Sequence, residues 1–421
     1  MAIDEISVQT MYSGQGMCTV IVAYEASAVS KLMLVDFGAE KDAGTAREHT
    51  LAALKTLIES HGVLDALVVS HSDKDHWNLL SELLDQLDAK IKITVAAFGT
   101  GNWVGAAQTF RAKVEKRKAN DKTIKLLDSS YSDISPDTPK IIEEWDVGWD
   151  GVTFYILCAS VNFFLDHDGD VVAVDETNTQ SVVLMCSFAD QNVFLPGDAT
   201  GSTLQFLNNR MDGHAYHGTG FMMTAPHHGA IATLDYSLGG LETFIDATEP
   251  KCALASAQLR GGYNHPNICV MSTMAKYAGQ NAFKGGPHPT VANFPGTDLC
   301  NANSIFKILN ALPKVVARSG YFWYGIKTDY NIFSTLLSGS EAANWYFGIK
   351  ADGTTSVTQD PVKFDIAEAL YRLGPLAEDE FFVGRSSEAA VRATADVQAG
   401  TPPRKPRKII QQGVWKRNPP A

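Results

Sequence analysis

The stretch Ser70–Asn78, SHSDKDHWN, packs two histidines and two aspartates into six positions, directly after the apolar run LDALVV. His71 and Asp73 are two apart, as are Asp73 and Asp75, and His76 follows Asp75. In a loop leaving a strand end, that spacing can turn all four side chains into one pocket. Imidazole nitrogens and carboxylate oxygens are ligands for zinc and for harder divalent ions. Four ligands exceed what one tetrahedral ion usually takes from a single loop. Two ions sharing the loop fit better, and they need a bridging carboxylate and further ligands from elsewhere in the chain.

Candidates for those ligands recur in the same setting. Asp198 lies in FLPGDAT, His227 and His228 in TAPHHGA, and His265 in YNHPN, each just past an apolar run. Each has an ordinary explanation when taken alone. A His-Asp pair is usually a surface pair or a satisfied hydrogen-bond partner, GDA is a common turn, HHG suits a loop with a glycine cap, and a histidine before proline suits a turn. Their succession along the chain, each at a strand end, points instead to a metal site.

The elements that must position these groups are legible in the apolar pattern. CTVIVAY (18–24) and KLMLVDF (31–37) read as strands. In 47–60, Leu51, Leu54, Leu57 and Ile58 share one helical face. A strand (64–70), a helix (78–88) and another strand (90–98) follow, and the order β-β-α-β-α-β predicts a layered α/β fold. Residues 103–145 are more charged and read as a helical excursion. Strands resume at 152–158, 181–188, 192–197, 221–226 and 251–256. The aromatic stretch 315–357 reads as β with a turn at ADGT, and PVKFDIAEALYRLG (361–374) reads as a helix. The segment 388–421 is small, polar and then rich in proline, lysine and arginine, the composition of a tail. Ligands that converge from several strand ends are how such folds build sites.

Bulk composition narrows the setting. The chain has 421 residues, 45% of them hydrophobic, enough for a large core. A net charge of −12 argues against a protein that coats nucleic acid, but not against an enzyme that grips phosphate through cations. The six cysteines (18, 158, 186, 252, 269 and 300) are scattered singly, which predicts free thiols in a reducing compartment. With no basic start before an apolar core and no run of ~20 apolar residues, the expectation is a cytoplasmic protein without a membrane segment.

The pattern resembles the metallo-β-lactamase superfamily, whose signature is H-x-H-x-D-H, and within it the hydrolase domain of the DNA-uptake protein ComEC and its stand-alone relatives. The residues that carry the likeness are SGQGMCTVIV (13–22), LVDFG (34–38), SHSDKDHWN, NTQSVVLM (178–185), LPGDA (195–199), APHHGA (225–230), YNHP (263–266) and, more weakly, KTDYN (327–331). The resemblance spans about residues 10–340. It implies an α/β, four-layer αββα metallo-β-lactamase fold of two packed mixed sheets flanked by helices. The corresponding division is a hydrolase domain over 1–350, a C-terminal helical extension over 351–387 and a flexible basic tail over 388–421.

The resemblance also implies roles. His71 and Asp73 hold one metal, Asp75 and His76 the other, and Asp198 bridges them. One of His227 and His228 completes the second site, with the choice left open. Asp36 props the metal loop, Asp75 orients a water, and His265 faces the substrate as a phosphate donor or general acid. Three departures from the family pattern matter. Asp73 replaces the second histidine, a change shared with the ComEC-like branch, and makes Mn²⁺ as suitable as Zn²⁺. The family's histidine between the metal loop and GDA is replaced at the strand end by Cys158, which reads as a core cysteine by preference, as a ligand, or as a sign that the first metal is loosely held. The family's DHxGG becomes DHWNLL, which would put Trp77 and Asn78 at the pocket mouth.

The expected activity is that of a binuclear metal-dependent hydrolase. A phosphodiesterase or nuclease that uses a metal-bridged hydroxide on DNA or RNA is the first choice, and the resemblance carries it. The basic tail offers either an electrostatic hook for a polyanion or a solvated end without a partner. The alternatives are a phosphodiesterase for a small molecule, such as a cyclic nucleotide or a phosphocholine ester, and a sensor or scaffold with a weakened metal site.

Overall fold

The computed structural model describes residues 2–363 except 40–43, 100, 102, 128–142, 175, 212–215, 235–238, 258–264, 280–287, 296–313, 319–320, 329–330 and 336–340. The apolar runs become strands of two mixed sheets. The first sheet comprises β1 (Glu5–Thr10), β2 (Cys18–Glu25), β3 (Ala28–Phe37), β4 (Leu64–Val69), β5 (Ile93–Gly99) and β6 (Ile124–Leu127). It is extended on the β1 side by β19 (Glu341–Lys350) and β20 (Thr355–Lys363), giving the order β20-β19-β1-β2-β3-β4-β5-β6. β3 to β6 pair in parallel, and the remaining pairs are antiparallel.

The second sheet comprises β7 (Glu143–Glu144), β8 (Val152–Cys158), β11 (Val183–Phe188), β12 (Gln191–Leu195), β13 (Thr219–Thr224), β14 (Cys252–Ala255) and β18 (Ile332–Ser334). Its order is β18-β14-β13-β12-β11-β8-β7, with β12, β13, β14 and β18 in parallel register. Two small sheets stand apart: the hairpin of β9 (Phe163–Leu165) with β10 (Val171–Ala173), and β15 (His288–Pro295), β16 (Lys314–Arg318) and β17 (Tyr321–Thr328) in the order β15-β17-β16.

Three apolar clusters hold these elements together. Ile6, Val8, Ile21, Met33 and Val68 of the first sheet share one cluster with Phe154, Ile156, Leu184, Val193 and Leu254 of the second. β19 contributes Trp345 and Phe347 to it, and the Trp345 indole donates to the Ser334 carbonyl across the sheets. The first sheet packs its other face on α1 (Gly44–His61), α2 (Asn78–Gln86) and α3 (Ala106–Arg117) through Leu54, Ile58, Leu80, Leu83 and Phe110. The second does so on α4 (Gly201–Met211), α5 (Gly240–Thr248) and α6 (Ile268–Met274) through Leu204, Phe206, Phe244 and Met271. The chain is therefore an α/β protein with mixed sheets flanked by helices.

The structure departs from the sequence reading in places. Pro361–Lys363, expected to open a helix, lie in β20. As an edge strand β20 can take Pro361, whose missing N–H costs no ladder bond on the solvent side. The remainder of the expected helix and the basic tail lie outside the described residues. Cys18, Cys158, Cys186 and Cys252 are buried free thiols, whereas Cys269 is disulfide-bonded. This corrects the expectation of six free thiols: spacing along the chain does not decide which sulfurs folding brings together. No helix among the described residues is long and apolar enough to cross a membrane.

Candidate metal centre

The carboxyl ends of β3 and β4 in one sheet meet those of β12, β13 and β14 in the other, and the loops that leave them carry the chemistry. At the rim of the site Val182, entering β11, donates to the Ser70 carbonyl of the first sheet at 2.9 Å, and within the second sheet the His227 amide donates to the Gly197 carbonyl at 2.9 Å. Glycine is required where these loops touch. A Cβ on Gly38 would lie 2.2 Å from the Asp75 carbonyl carbon. Gly197 has φ +55°, and a Cβ there would meet the Ser70 side chain at 2.8 Å.

Asp198 is the centre of the site, buried and flanked by histidines on both carboxylate oxygens. Its Oδ1 lies 3.1 Å from His76 Nε2 and 3.4 Å from His228 Nε2, and Asp75 Oδ2 lies 3.5 Å from His228 Nε2. Its Oδ2 lies 3.6 Å from His227 Nε2 and 3.9 Å from His71 Nε2, and Asp73 approaches His71 Nε2 at 3.6 Å. Asp75, His76, Asp198 and His228 thus form a buried cluster, their ligand atoms within 4.8 Å of one another, that could hold a metal ion. His71, Asp73 and His227 gather on the other side of the same carboxylate.

The outer partners of the histidines fix which nitrogen faces inward. His76 Nδ1 donates to Asp36 Oδ2 at 2.8 Å, and His228 Nδ1 donates to the Ser256 carbonyl at 2.8 Å. Ser70 Oγ donates to Asp36 Oδ2 at 2.7 Å and lies 3.0 Å from His71 Nδ1, whose proton it is placed to accept. Carboxylate, carbonyl and hydroxyl partners of this kind are what orient metal-bound imidazoles. The inward atoms have no hydrogen-bond partner: His71 Nε2, His76 Nε2, His228 Nε2 and Asp198 Oδ1 are all buried and unsatisfied. Even the 3.1 Å approach of His76 to Asp198 lies off hydrogen-bond geometry. Buried lone pairs aimed at one another are costly unless a cation lies between them. The donor set, imidazole nitrogen with carboxylate oxygen, fits a divalent ion.

Electrostatics agree with a site built for positive charge. Burial alone would raise Asp198, but His76, His228 and His227 outweigh it and hold the carboxyl well below its ordinary value. Asp75 is likewise lowered to about 2, as contact with His228 and the charge of His76 overcome burial. Burial alone would lower His76 and His228. The carboxylates of Asp198 and Asp36 raise the first, and those of Asp198 and Asp75 the second. His227 is lowered by desolvation, and half-buried His265, desolvated beside His227 and His228, is lowered to about 3.

The two histidines of PHHG separate. His227 (φ 49°, ψ 48°) and His228 (φ 55°, ψ 16°) are both left-handed, and Gly229 (φ 79°) continues the turn. Non-glycine residues in this region cost about 1–3 kcal/mol each, a strain found at functional sites. The turn sends His228 to the Oδ1 side of Asp198 and His227 to the Oδ2 side. His265 sits over both, its ring centroid 5.5 Å from that of His227 and 6.3 Å from that of His228.

Other sequence-derived placements resolve as well. Cys158 is fully buried in the cluster behind the second sheet, and burial pushes its thiol up to about 12, as a core cysteine. Trp77 and Asn78 do not line a pocket mouth. The Trp77 ring stacks on Phe110 and its Nε1 donates to the Ser72 carbonyl, so it braces the metal loop from behind. Asn78 bonds both backbone groups of Ala39. Sequence reasoning passed over Ser70 and Ser256, because a serine beside a histidine reads as ordinary loop. It also gave no role to Asn178, whose Nδ2 lies 3.3 Å from His227 Nε2. No protein-family model and no curated protein matches this chain.

Proposed function

We propose that the chain is a binuclear metal-dependent hydrolase of the metallo-β-lactamase type, acting on phosphodiesters, with DNA or RNA as the preferred substrate class. One observation carries the reading: four histidine Nε2 atoms, three of them with Nδ1 held by an outer partner, converge on the two oxygens of one buried aspartate. The apolar cluster shared by the sheets, with a helix-backed cluster on either outer face, supports the four-layer αββα arrangement.

In this reading His71, Asp73 and His227 would hold one cation and Asp75, His76 and His228 the other, as Zn²⁺ or Mn²⁺, with Asp198 serving both. Such ions supply Lewis acidity and a water whose pKa falls towards neutrality. The protein's part is positioning. Asp36, Ser70 and Ser256 hold Nδ1 protons outward so that Nε2 lone pairs face in. Asp75, ionised at neutral pH, is the acceptor that orients an attacking water. His265, held neutral by burial, serves better as a hydrogen-bond donor to a substrate oxygen than as a proton donor, since a group at about 3 carries no spare proton at pH 7.

The net charge of −12 favours a second substrate, a small phosphodiester, over a long polyanion track. Activity of the Mn²⁺-loaded protein on single-stranded DNA, single-stranded RNA and bis(p-nitrophenyl) phosphate separates the two. Hydrolysis of a polymer is the expected result. Cleavage of the small ester alone selects the second substrate, and no cleavage of any by metal-loaded protein overturns the enzyme reading in favour of a scaffold or sensor.

A further inference from the structure

From the geometry around His227 we infer that Asn178 positions the substrate, donating from its side-chain amide to a non-bridging phosphate oxygen; the inference rests on the phosphodiesterase reading above. Asn178 Nδ2 lies 3.3 Å from His227 Nε2, the nitrogen that faces Asp198 Oδ2 at 3.6 Å. The lone pair of that nitrogen has one use at a time. When a cation takes it, the Asn178 amide loses its acceptor while remaining beside the ligand atom. A donor so placed is directed at whatever oxygen the cation binds next to His227.

The turn that carries the amide is held from several directions. Asn178 opens a single helical turn, Asn178–Gln180. Thr179 is fully buried, and its hydroxyl donates to the Glu176 carbonyl at 2.6 Å. Thr203 Oγ1 donates to the Thr179 carbonyl at 3.1 Å and accepts from the Thr200 amide at 3.2 Å, tying the turn to the loop that carries Asp198. The Ser160 amide donates to the Gln180 carbonyl at 3.0 Å. Two residues on, Val182 donates to Ser70 of the metal loop. The turn that carries the amide is thus tied to both loops of the candidate site, which pre-positions the donor, the condition under which a hydrogen-bond donor contributes strongly to charge stabilisation. Asn178 Oδ1 is buried without a hydrogen-bond partner, a desolvation cost that a turn with a purely structural asparagine would not carry.

The test uses the Mn²⁺-loaded full chain and its Asn178→Ala and Asn178→Asp variants, with metal content, thermal stability and calorimetric binding of inorganic phosphate measured alongside kinetics. The expected result is unchanged metal content in all three, phosphate binding about tenfold weaker in Asn178→Ala, and weaker still in Asn178→Asp, where a carboxylate replaces the donor. The kcat on a phosphodiester should fall about 100-fold, the scale for loss of one oxyanion donor. If both variants bind phosphate as the wild type does, the role of Asn178 is overturned while the phosphodiesterase reading stands. If Asn178→Ala loses metal, the amide oxygen is a ligand and the donor role is overturned. If the loaded wild type itself binds no phosphate, the phosphodiesterase reading fails and takes this inference with it.

Discussion

Asp198→Asn should abolish hydrolysis while leaving the fold in place, with a loss in kcat of at least about 1,000-fold, the upper end of what removal of one charge-stabilising group costs. The carboxylate meets His76 and His228 through one oxygen and His71 and His227 through the other. The isosteric amide keeps the shape and one oxygen, but replaces the other with a nitrogen that carries no lone pair for a metal. The substitution therefore disables one side of the centre outright and removes the charge that the other shares. Steady-state kinetics together with circular dichroism checks this. Residual activity within tenfold of the wild type would mean that Asp198 does not bridge two cations.

Metal removal should expose a pH dependence that the loaded protein lacks. In the metal-free chain His76 and His228 have pKa values raised above 6.5 by neighbouring carboxylates. A raised folded-state pKa means that the native state binds protons more tightly than the unfolded chain. The stabilisation is fully present below pH 6.5 and is lost as pH rises through the elevated values. Asp75 and Asp198 act in the opposite direction. Their lowered pKa values contribute stability above the ordinary carboxyl value of 3.8, which is lost as pH falls towards about 2 in the case of Asp75. His227 and His265, whose pKa values burial lowers, lose stability as pH falls below 6.5, so the metal-free protein should be most stable near pH 6.5, and its Tm should fall from there to pH 9.

Cations replace those protons, so the loaded protein should hold its Tm over the same alkaline range, and loading should release protons. At a free-metal concentration of about 1,000 Kd, each bound ion widens the gap in stability by about 4 kcal/mol. Thermal melts from pH 5 to 9, with and without chelator, measure it. A gap that shrinks as pH rises would contradict the ligand set.

The residues that converge on Asp198 were legible because the runs that precede them are continuously apolar, the mark of strands buried on both faces. Leu64–Val69 before the metal loop and Gln191–Leu195 before GDA lie in regions of parallel pairing, and their carboxyl ends deliver side chains to one place. The division of labour between His227 and His228 was not legible. It depends on two consecutive left-handed residues, and no sequence spacing encodes which way a strained turn sends adjacent rings. The roles of Ser70, Ser256 and Asn178 were hidden for a related reason, since small polar residues near histidines are common in any loop and only the fold shows which nitrogen they face.

Trp77 and Asn78 were misread because loss of the family's glycines suggested bulk at an opening. Phe110 of α3, distant in sequence, supplies the surface that draws the Trp77 ring inward. α4 was not read from the sequence: Gln205 and Arg210 are buried among its apolar residues where it packs on α5 and β9, which blurs the period that marks an amphipathic helix.

The central claim is that this chain binds a pair of divalent cations through Asp198. Its most direct test is elemental analysis of folded protein that has been stripped with chelator, reloaded with Zn²⁺ or Mn²⁺ and desalted, beside a His71→Ala/Asp198→Asn double variant treated identically. The account predicts about two ions per wild-type chain and fewer than one in the double variant. Equal metal content in the two proteins would contradict it.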